Sequence, residues 1–142
     1  MEEILKIKLW HYIQKYNPEL MISLQEENAV MDYLNKKMDS VKSLLSEILS
    51  EAKPRYIVEE TCINLLTKDL KPSRFVFISS IFEEEFEATY IQFSESGILL
   101  YEVINVMESC EAVFATIGFT TEREDNPVLR YAIMGQIAEY LN

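Results

Sequence analysis

The sequence predicts an all-α fold, a bundle of about six helices in a single domain that covers residues 1–142. Apolar residues recur every three or four positions along most of the chain, which is typical of helices with one buried face. Prolines and capping residues divide this pattern into segments, and strict apolar/polar alternation is scarce. A chain of 142 residues also suits one core better than two.

The first two helices are predicted from proline and capping signals. The first covers residues 3–16 and ends at Asn17-Pro18, because the residue before a proline leaves the helical region. The second starts at Ser23, where the sequence S-x-x-E forms a capping box, and it runs to Ala52. Such a helix is long for a globular protein, so we expect a break near Asp39-Ser40.

The third and fourth helices are predicted in the middle of the chain. Pro54 opens the third, since proline is favoured in the first helical turn, and Lys68–Pro72 closes it. Ser73 caps the fourth, which runs through Glu87 and is followed by a short extended piece at Thr89–Phe93. Two strands are the alternative here, because β-forming residues are frequent, but the acidic stretch between them lacks hairpin residues.

The last two helices follow glycine and proline signals. The fifth covers Gly97 to Ile117 and ends at Gly118, and a polar loop over residues 120–127 precedes a sixth that starts at Pro127. The sequence shows no internal repeat. The apolar stripes predict a core that includes Leu44, Leu65, Phe82, Val103, Phe114 and Ile137.

Charge and cysteine usage exclude several classes of protein. The 24 acidic and 13 basic residues give a net charge of −11, which argues against direct binding to nucleic acids or anionic membranes. Residues 1–53 carry a net −2 and residues 54–142 a net −9. No secretory leader or membrane span is predicted, so we expect a cytoplasmic protein in which Cys62 and Cys110 are reduced thiols.

No residue is assigned a catalytic, cofactor-binding or metal-binding role. The three glycines are scattered, so no phosphate-binding loop is present, and one histidine without a C-x-x-C pair provides no zinc motif. The densest acidic cluster is Glu83, Glu84, Glu85 and Glu87. A hard-cation site or a carboxylate pair for acid–base chemistry is the functional interpretation of this cluster, and a solvated helix face is the favoured one.

Several short motifs resemble a family of small helical Bacteroidetes proteins of unknown function, often encoded on conjugative mobile elements. These motifs are Ser73-Arg74-Phe75, the run from Ile81 to Phe86, Ala112-Val113-Phe114, the segment Leu9–Pro18, and Gly135 in the final helix. The resemblance implies an all-helical fold and favours a helix over residues 73–87. It implies no activity and no catalytic residue.

The favoured function is a non-enzymatic protein–protein interaction or accessory factor of a mobile element, with an unknown protein partner and no cofactor. Two alternatives stay open: an acidic DNA mimic or anti-defence protein, and a small-ligand binder or enzyme with a core pocket containing Glu84 or Glu85 and a buried tyrosine. A homodimer is a further alternative. Its surface would combine the fifth helix with Tyr131, Met134 and Ile137 of the last.

Overall fold

The computed structural model describes residues 1–142 and contains helices but no strand. The all-α prediction is therefore confirmed, whereas the helix count is nine rather than about six. The difference arises because three of the predicted segments each span two helices, separated by one to three residues that belong to neither helix.

Contacts within the chain divide it into two compact units, Met1–Lys71 (unit 1) and Pro72–Asn142 (unit 2). Each unit has its own cluster of buried apolar side chains. The single domain over residues 1–142 stays a prediction.

Unit 1 is built from four helices and one short 3₁₀ turn. The helices are α1 (Glu2–Tyr16), α2 (Pro18–Glu26), α3 (Val30–Ser50) and α4 (Arg55–Leu66), and the turn is Lys68–Leu70. Helices α1, α3 and α4 pack against one another, and α2 packs against α1 and α3. Their shared core centres on Leu5, Leu9, Ile13, Met38, Val41 and Cys62.

The helix boundaries in unit 1 correct two sequence predictions. The first helix ends before Asn17, as predicted, but Pro18 immediately starts α2 as its first residue, so Ser23 lies inside a helix rather than at its N-terminus. The break comes at Asn28, whose φ of 54° ends α2, and α3 continues unbroken through Asp39-Ser40. Asparagine tolerates this left-handed conformation better than most residues do, which explains why the break lies there.

Unit 2 contains five helices and a second 3₁₀ turn. These are α5 (Arg74–Glu85), α6 (Glu87–Glu95), α7 (Leu99–Ser109), α8 (Glu111–Ile117) and α9 (Pro127–Leu141), with the turn at Thr121–Arg123. The core is formed by Ile78, Ile81, Phe82, Val103, Val106, Cys110, Phe114, Leu129, Ile133 and Ile137.

In unit 2 the predicted N-cap of α5 is confirmed, but the predicted extended piece that follows this helix is not. Ser73 caps α5, since its Oγ accepts a hydrogen bond from the Val76 N–H at 3.1 Å. The extended piece predicted at Thr89–Phe93 is wrong, because these residues lie within α6. Only Phe86 leaves the helical region, with φ −132° and ψ 48°, and its carbonyl still accepts from the Tyr90 N–H at 2.9 Å. The helix thus resumes at once.

Four of the six predicted core residues are fully buried: Phe82, Val103, Phe114 and Ile137. Leu44 is half-buried. Leu65 is 46% exposed, so its assignment is wrong, and Leu66 is buried in its place. The buried residues of α4 recur at every fourth position, and Leu65 lies about 100° away around the helix from Leu66.

The two units follow the same structural plan, although the sequence shows no internal repeat. Helices α1, α2 and α4 correspond to α5, α6 and α9, while α3 corresponds to α7 followed by α8, and the same pairs of corresponding helices pack in each unit. The breaks between the first and second helices of each unit, and between the second and third, lie 69 residues apart in the chain. Asn17 (φ −136°, ψ 56°) corresponds to Phe86 (φ −132°, ψ 48°), and Asn28 to Gly97, both at positive φ.

Hydrogen bonds and burial support this correspondence. Ser40 Oγ donates to the Lys37 carbonyl three residues earlier, and its counterpart Ser109 donates to the Val106 carbonyl in the same way. Pairs at the same offset are buried in both units: Leu9 and Ile78, Ile13 and Phe82, Leu34 and Val103, Val41 and Cys110, Leu45 and Phe114. The chain is therefore a tandem of two related four-element units.

Candidate functional site

The predicted acidic cluster lies at the end of α5 and the start of α6. All four of its glutamates are exposed. Arg130 Nη2 on α9 donates to Glu84 at 2.7 Å and to Glu85 at 3.0 Å, so two of the four carboxylates share one guanidinium. These hydrogen bonds raise the pKa of Arg130. No group of three or more His, Cys, Asp or Glu side chains converges as metal ligands would.

The two cysteines lie in separate cores. Cys62 and Cys110 are fully buried free thiols. Burial raises the pKa of both thiols, and a hydrogen bond with Ser109 partly offsets this for Cys110. Since the thiolate is the reactive form, neither cysteine has the environment of a nucleophile.

Unit 1 contains a cleft of about 410 Å³ between α1 and α4. One face of α1 lines it with residues at helical spacing: Lys8, His11, Tyr12, Lys15 and Tyr16. The opposite wall is formed by α4 through Tyr56, Glu59, Glu60 and Ile63. Basic, aromatic and acidic side chains therefore meet in this cleft, which we call the α1/α4 cleft.

An ion pair crosses the α1/α4 cleft at one end. Lys8 Nζ lies 3.0 Å from Glu59, and Arg55 Nε lies 3.2 Å from the same carboxylate. The hydrogen bond from Lys8, with a further contribution from Arg55, lowers the pKa of Glu59. One carboxylate thus holds two cations.

The other end of the α1/α4 cleft is aromatic and cationic. The rings of Tyr12 and Tyr16 lie 4.6 Å apart between centroids. Lys15 Nζ lies 5.2 Å from the Tyr16 centroid, and Lys71 Nζ lies 5.8 Å from that of Tyr12. Burial, and then repulsion from Tyr16, raises the pKa of Tyr12, while a hydrogen bond with Thr67 opposes the shift.

A second groove in unit 1 lies between α1 and α3, and most of the residues that line it are apolar. It has a volume of about 340 Å³ and is lined by Ile7, Trp10, Val30, Met31 and Leu34, with Glu3, Lys6 and His11. Ile7 and Met31 are more than half exposed. Nothing charged reaches across this groove.

Unit 2 has a strongly acidic composition. It contains twelve acidic and three basic residues, and none of its basic residues is a lysine. Arg130 is paired with the two glutamates described above, Arg123 donates to the Ile117 carbonyl at 2.8 Å, and Arg74 lies 4.8 Å from the Phe114 ring centroid. All three arginines therefore make contacts within the unit, and most of its carboxylates have no cationic neighbour.

An uncharged stripe runs along the exposed side of α9. It consists of Val128, Tyr131, Gly135 and Ala138, and the first two are 64% and 69% exposed. Of the three α9 residues predicted to form a dimer surface, Tyr131 is exposed and Met134 is half-buried. Ile137 is fully buried in the core of unit 2, which removes it from any such surface.

Sequence reasoning did not predict the α1/α4 cleft. Glu84 and Glu85, which were considered for a pocket, line neither groove of unit 1. No helix combines the length and apolar composition needed to cross a membrane. No family model, curated protein or solved structure matches the chain, so the resemblance to the Bacteroidetes family stays a prediction.

Proposed function

We propose that this protein is a non-enzymatic interaction protein whose second unit binds a partner with a basic surface. The observation that carries the proposal is that each of the three arginines of unit 2 contacts a group within the unit. Ten of the twelve carboxylates of unit 2 therefore form no ion pair, and the unit carries a net charge of −9. Complementary charge speeds encounter and selects the partner.

The α9 stripe supports an interface on the same unit. A specific protein interface has an apolar centre with a polar rim, and tyrosine is enriched at such centres. Tyr131 and Val128 provide exposed apolar area, while Glu124 and Asp125 precede the stripe along the chain and Glu139 lies beside its end. An uncharged stripe with acidic neighbours suits a partner that is apolar at its centre and basic around it.

The test is photocrosslinking in cells of the organism that encodes the protein. A photoreactive amino acid replaces Tyr131, which is 69% exposed, and in a matched control it replaces Tyr56 of unit 1, which is 67% exposed. We expect an adduct with a basic protein from position 131 only. Failure of position 131 to give an adduct distinct from the control contradicts the proposal.

The captured partner is then titrated in purified form against the wild type and a variant with Glu124→Gln, Asp125→Asn and Glu139→Gln. These carboxylates make no ion pair, so their neutralisation leaves the fold intact while removing attraction. We expect weaker binding and a shallower dependence on salt. An affinity that changes neither with salt concentration nor with the three substitutions would exclude an electrostatic interface.

An acidic DNA mimic is the second candidate, because unit 2 contains twelve carboxylates and no lysine. It makes a distinct prediction: double-stranded DNA should compete with this protein for the captured partner. Competition would identify the partner's basic surface as its DNA-binding site, whereas simultaneous binding would favour an accessory factor. A role on a mobile element and a cytoplasmic location belong to the same proposal.

A further inference from the structure

We propose that the α1/α4 cleft binds a small aromatic anion, meaning a planar ring that carries a phosphate or carboxylate group. Its volume of about 410 Å³ falls in the range of roughly 300–1,000 Å³ that is usual for ligand clefts. The proposal is independent of the partner surface on unit 2.

The first argument is the surplus of positive charge at the cleft. Four cations, Lys8, Arg55, Lys15 and Lys71, lie in or beside the cleft, against two carboxylates, Glu59 and Glu60. Glu59 is already shared by Lys8 and Arg55, and neither Lys15 nor Lys71 forms an ion pair. The ammonium groups of these two lysines rest on tyrosine rings instead. In a protein of net charge −11, cations left without carboxylates at one place mark a site for an anion.

The second argument is the pair of rings beneath those lysines. A cation–π contact at an exposed site is weak, so a planar ligand can displace the ammonium groups from the rings of Tyr12 and Tyr16. Each displaced lysine then has an anionic group to pair with, which is the stronger contact. Stacking and ion pairing therefore select a ligand with both a ring and an anion.

The third argument comes from unit 2, where an ion pair crosses the equivalent position between α5 and α9. At the offset of 69 positions, Lys15 and Tyr16 correspond to Glu84 and Glu85 of α5, which Arg130 on α9 bridges directly. The same scaffold can therefore join these two helices with an ion pair at this level. In unit 1 the ion pair lies about two turns earlier, at Lys8, and leaves the aromatic end open.

The test is an NMR titration of the full chain with adenosine monophosphate, ribose 5-phosphate, adenosine and benzoate. We expect saturable shifts in amides of α1 and α4 with the nucleotide, weaker ones with the two fragments, and a response to benzoate that shows whether carboxylate replaces phosphate. Absence of saturable shifts with both the nucleotide and benzoate overturns the proposal. Equal affinities for ribose 5-phosphate and the nucleotide would mean that the rings of Tyr12 and Tyr16 do not contribute to binding.

Lysine variants locate the site. Lys15→Ala and Lys71→Ala should each weaken nucleotide binding by about fivefold, the size expected for an exposed ion pair. Lys36→Ala is the matched control, because it removes the same charge from an exposed position of α3 outside the cleft. These side chains contribute nothing to the core, so all three variants should fold. Unchanged affinity in the first two, or an equal loss in the control, contradicts the assignment.

Discussion

Tyr33 has the most perturbed phenol in the protein. Its hydroxyl is buried without a hydrogen-bond partner, and the Lys37 ammonium lies 5.7 Å from its ring centroid. Lys37 in turn pairs with Asp69 at 2.8 Å. Burial, with a smaller contribution from Asp69, raises the pKa of Tyr33 to about 12. A buried hydroxyl without a hydrogen-bond partner loses its hydration, and no hydrogen bond in the folded protein offsets that cost.

We expect Tyr33 to make the protein less stable at alkaline pH. Below pH 10 the phenol is protonated in both the folded and the unfolded state, so it adds no pH dependence. Between about pH 10 and 12 the unfolded chain releases this proton while the folded chain keeps it, so the free energy of unfolding falls as pH rises. Tyr33→Phe should flatten this decline in urea unfolding and should not lower stability at pH 7. A steeper decline in the variant would contradict this.

The contrast between Phe82 and Leu65 tests the core assignment. Phe82 is fully buried in unit 2, so Phe82→Ala should lower the free energy of unfolding by about 3–5 kcal/mol. Leu65 is 46% exposed, and Leu65→Ala should cost less than about 1 kcal/mol. Chemical denaturation measures both. Similar losses for the two variants would mean that Leu65 belongs to the core after all.

At the scale of elements, the sequence predicted helices well and their interruptions poorly. Proline at Pro18, Pro54 and Pro127 and the cap at Ser73 mark boundaries that the structure keeps, because each acts through local backbone chemistry. Phe86 and Cys110 interrupt helices for a single residue and carry no such signal. Apolar periodicity along the chain does not encode an interruption of one residue, so neither was predicted.

The turn after α6 provides a test at this scale. Gly97 has φ of 73°, and its counterpart Asn28 has φ of 54°. In both turns the next residue's N–H donates to a carbonyl five residues earlier, as in a Schellman motif. A Cβ at Gly97 would meet no atom within 4 Å, so Gly97→Ala should cost only the backbone penalty, about 1 kcal/mol. Gly97→Asn should cost less in thermal unfolding, and an equal cost would contradict the repeat correspondence.

At the scale of the molecule, neither the repeat nor the candidate cleft could be predicted from the sequence. Buried positions in corresponding helices require only apolar side chains, so Ile13 and Phe82, or Val41 and Cys110, fill equivalent places without being identical. The one local signal is the similarity of residues 38–40, Met-Asp-Ser, to residues 107–109, Met-Glu-Ser. The cleft could not be predicted because the α1 residues that line it have the polar pattern of a solvent-exposed face. The sequence alone does not show that α4 packs beside them.

The matched pair Ile13 and Phe82 tests how far the two units are energetically separate. Both side chains are fully buried at equivalent positions, and each belongs to the core cluster of its own unit. We expect Ile13→Ala to reduce amide hydrogen-exchange protection mainly in residues 1–71, and Phe82→Ala mainly in residues 72–142, because a cavity weakens the contacts that surround it. Native-state exchange at low denaturant measures this residue by residue. Equal loss of protection across the whole chain from either variant would instead support one cooperative domain over residues 1–142.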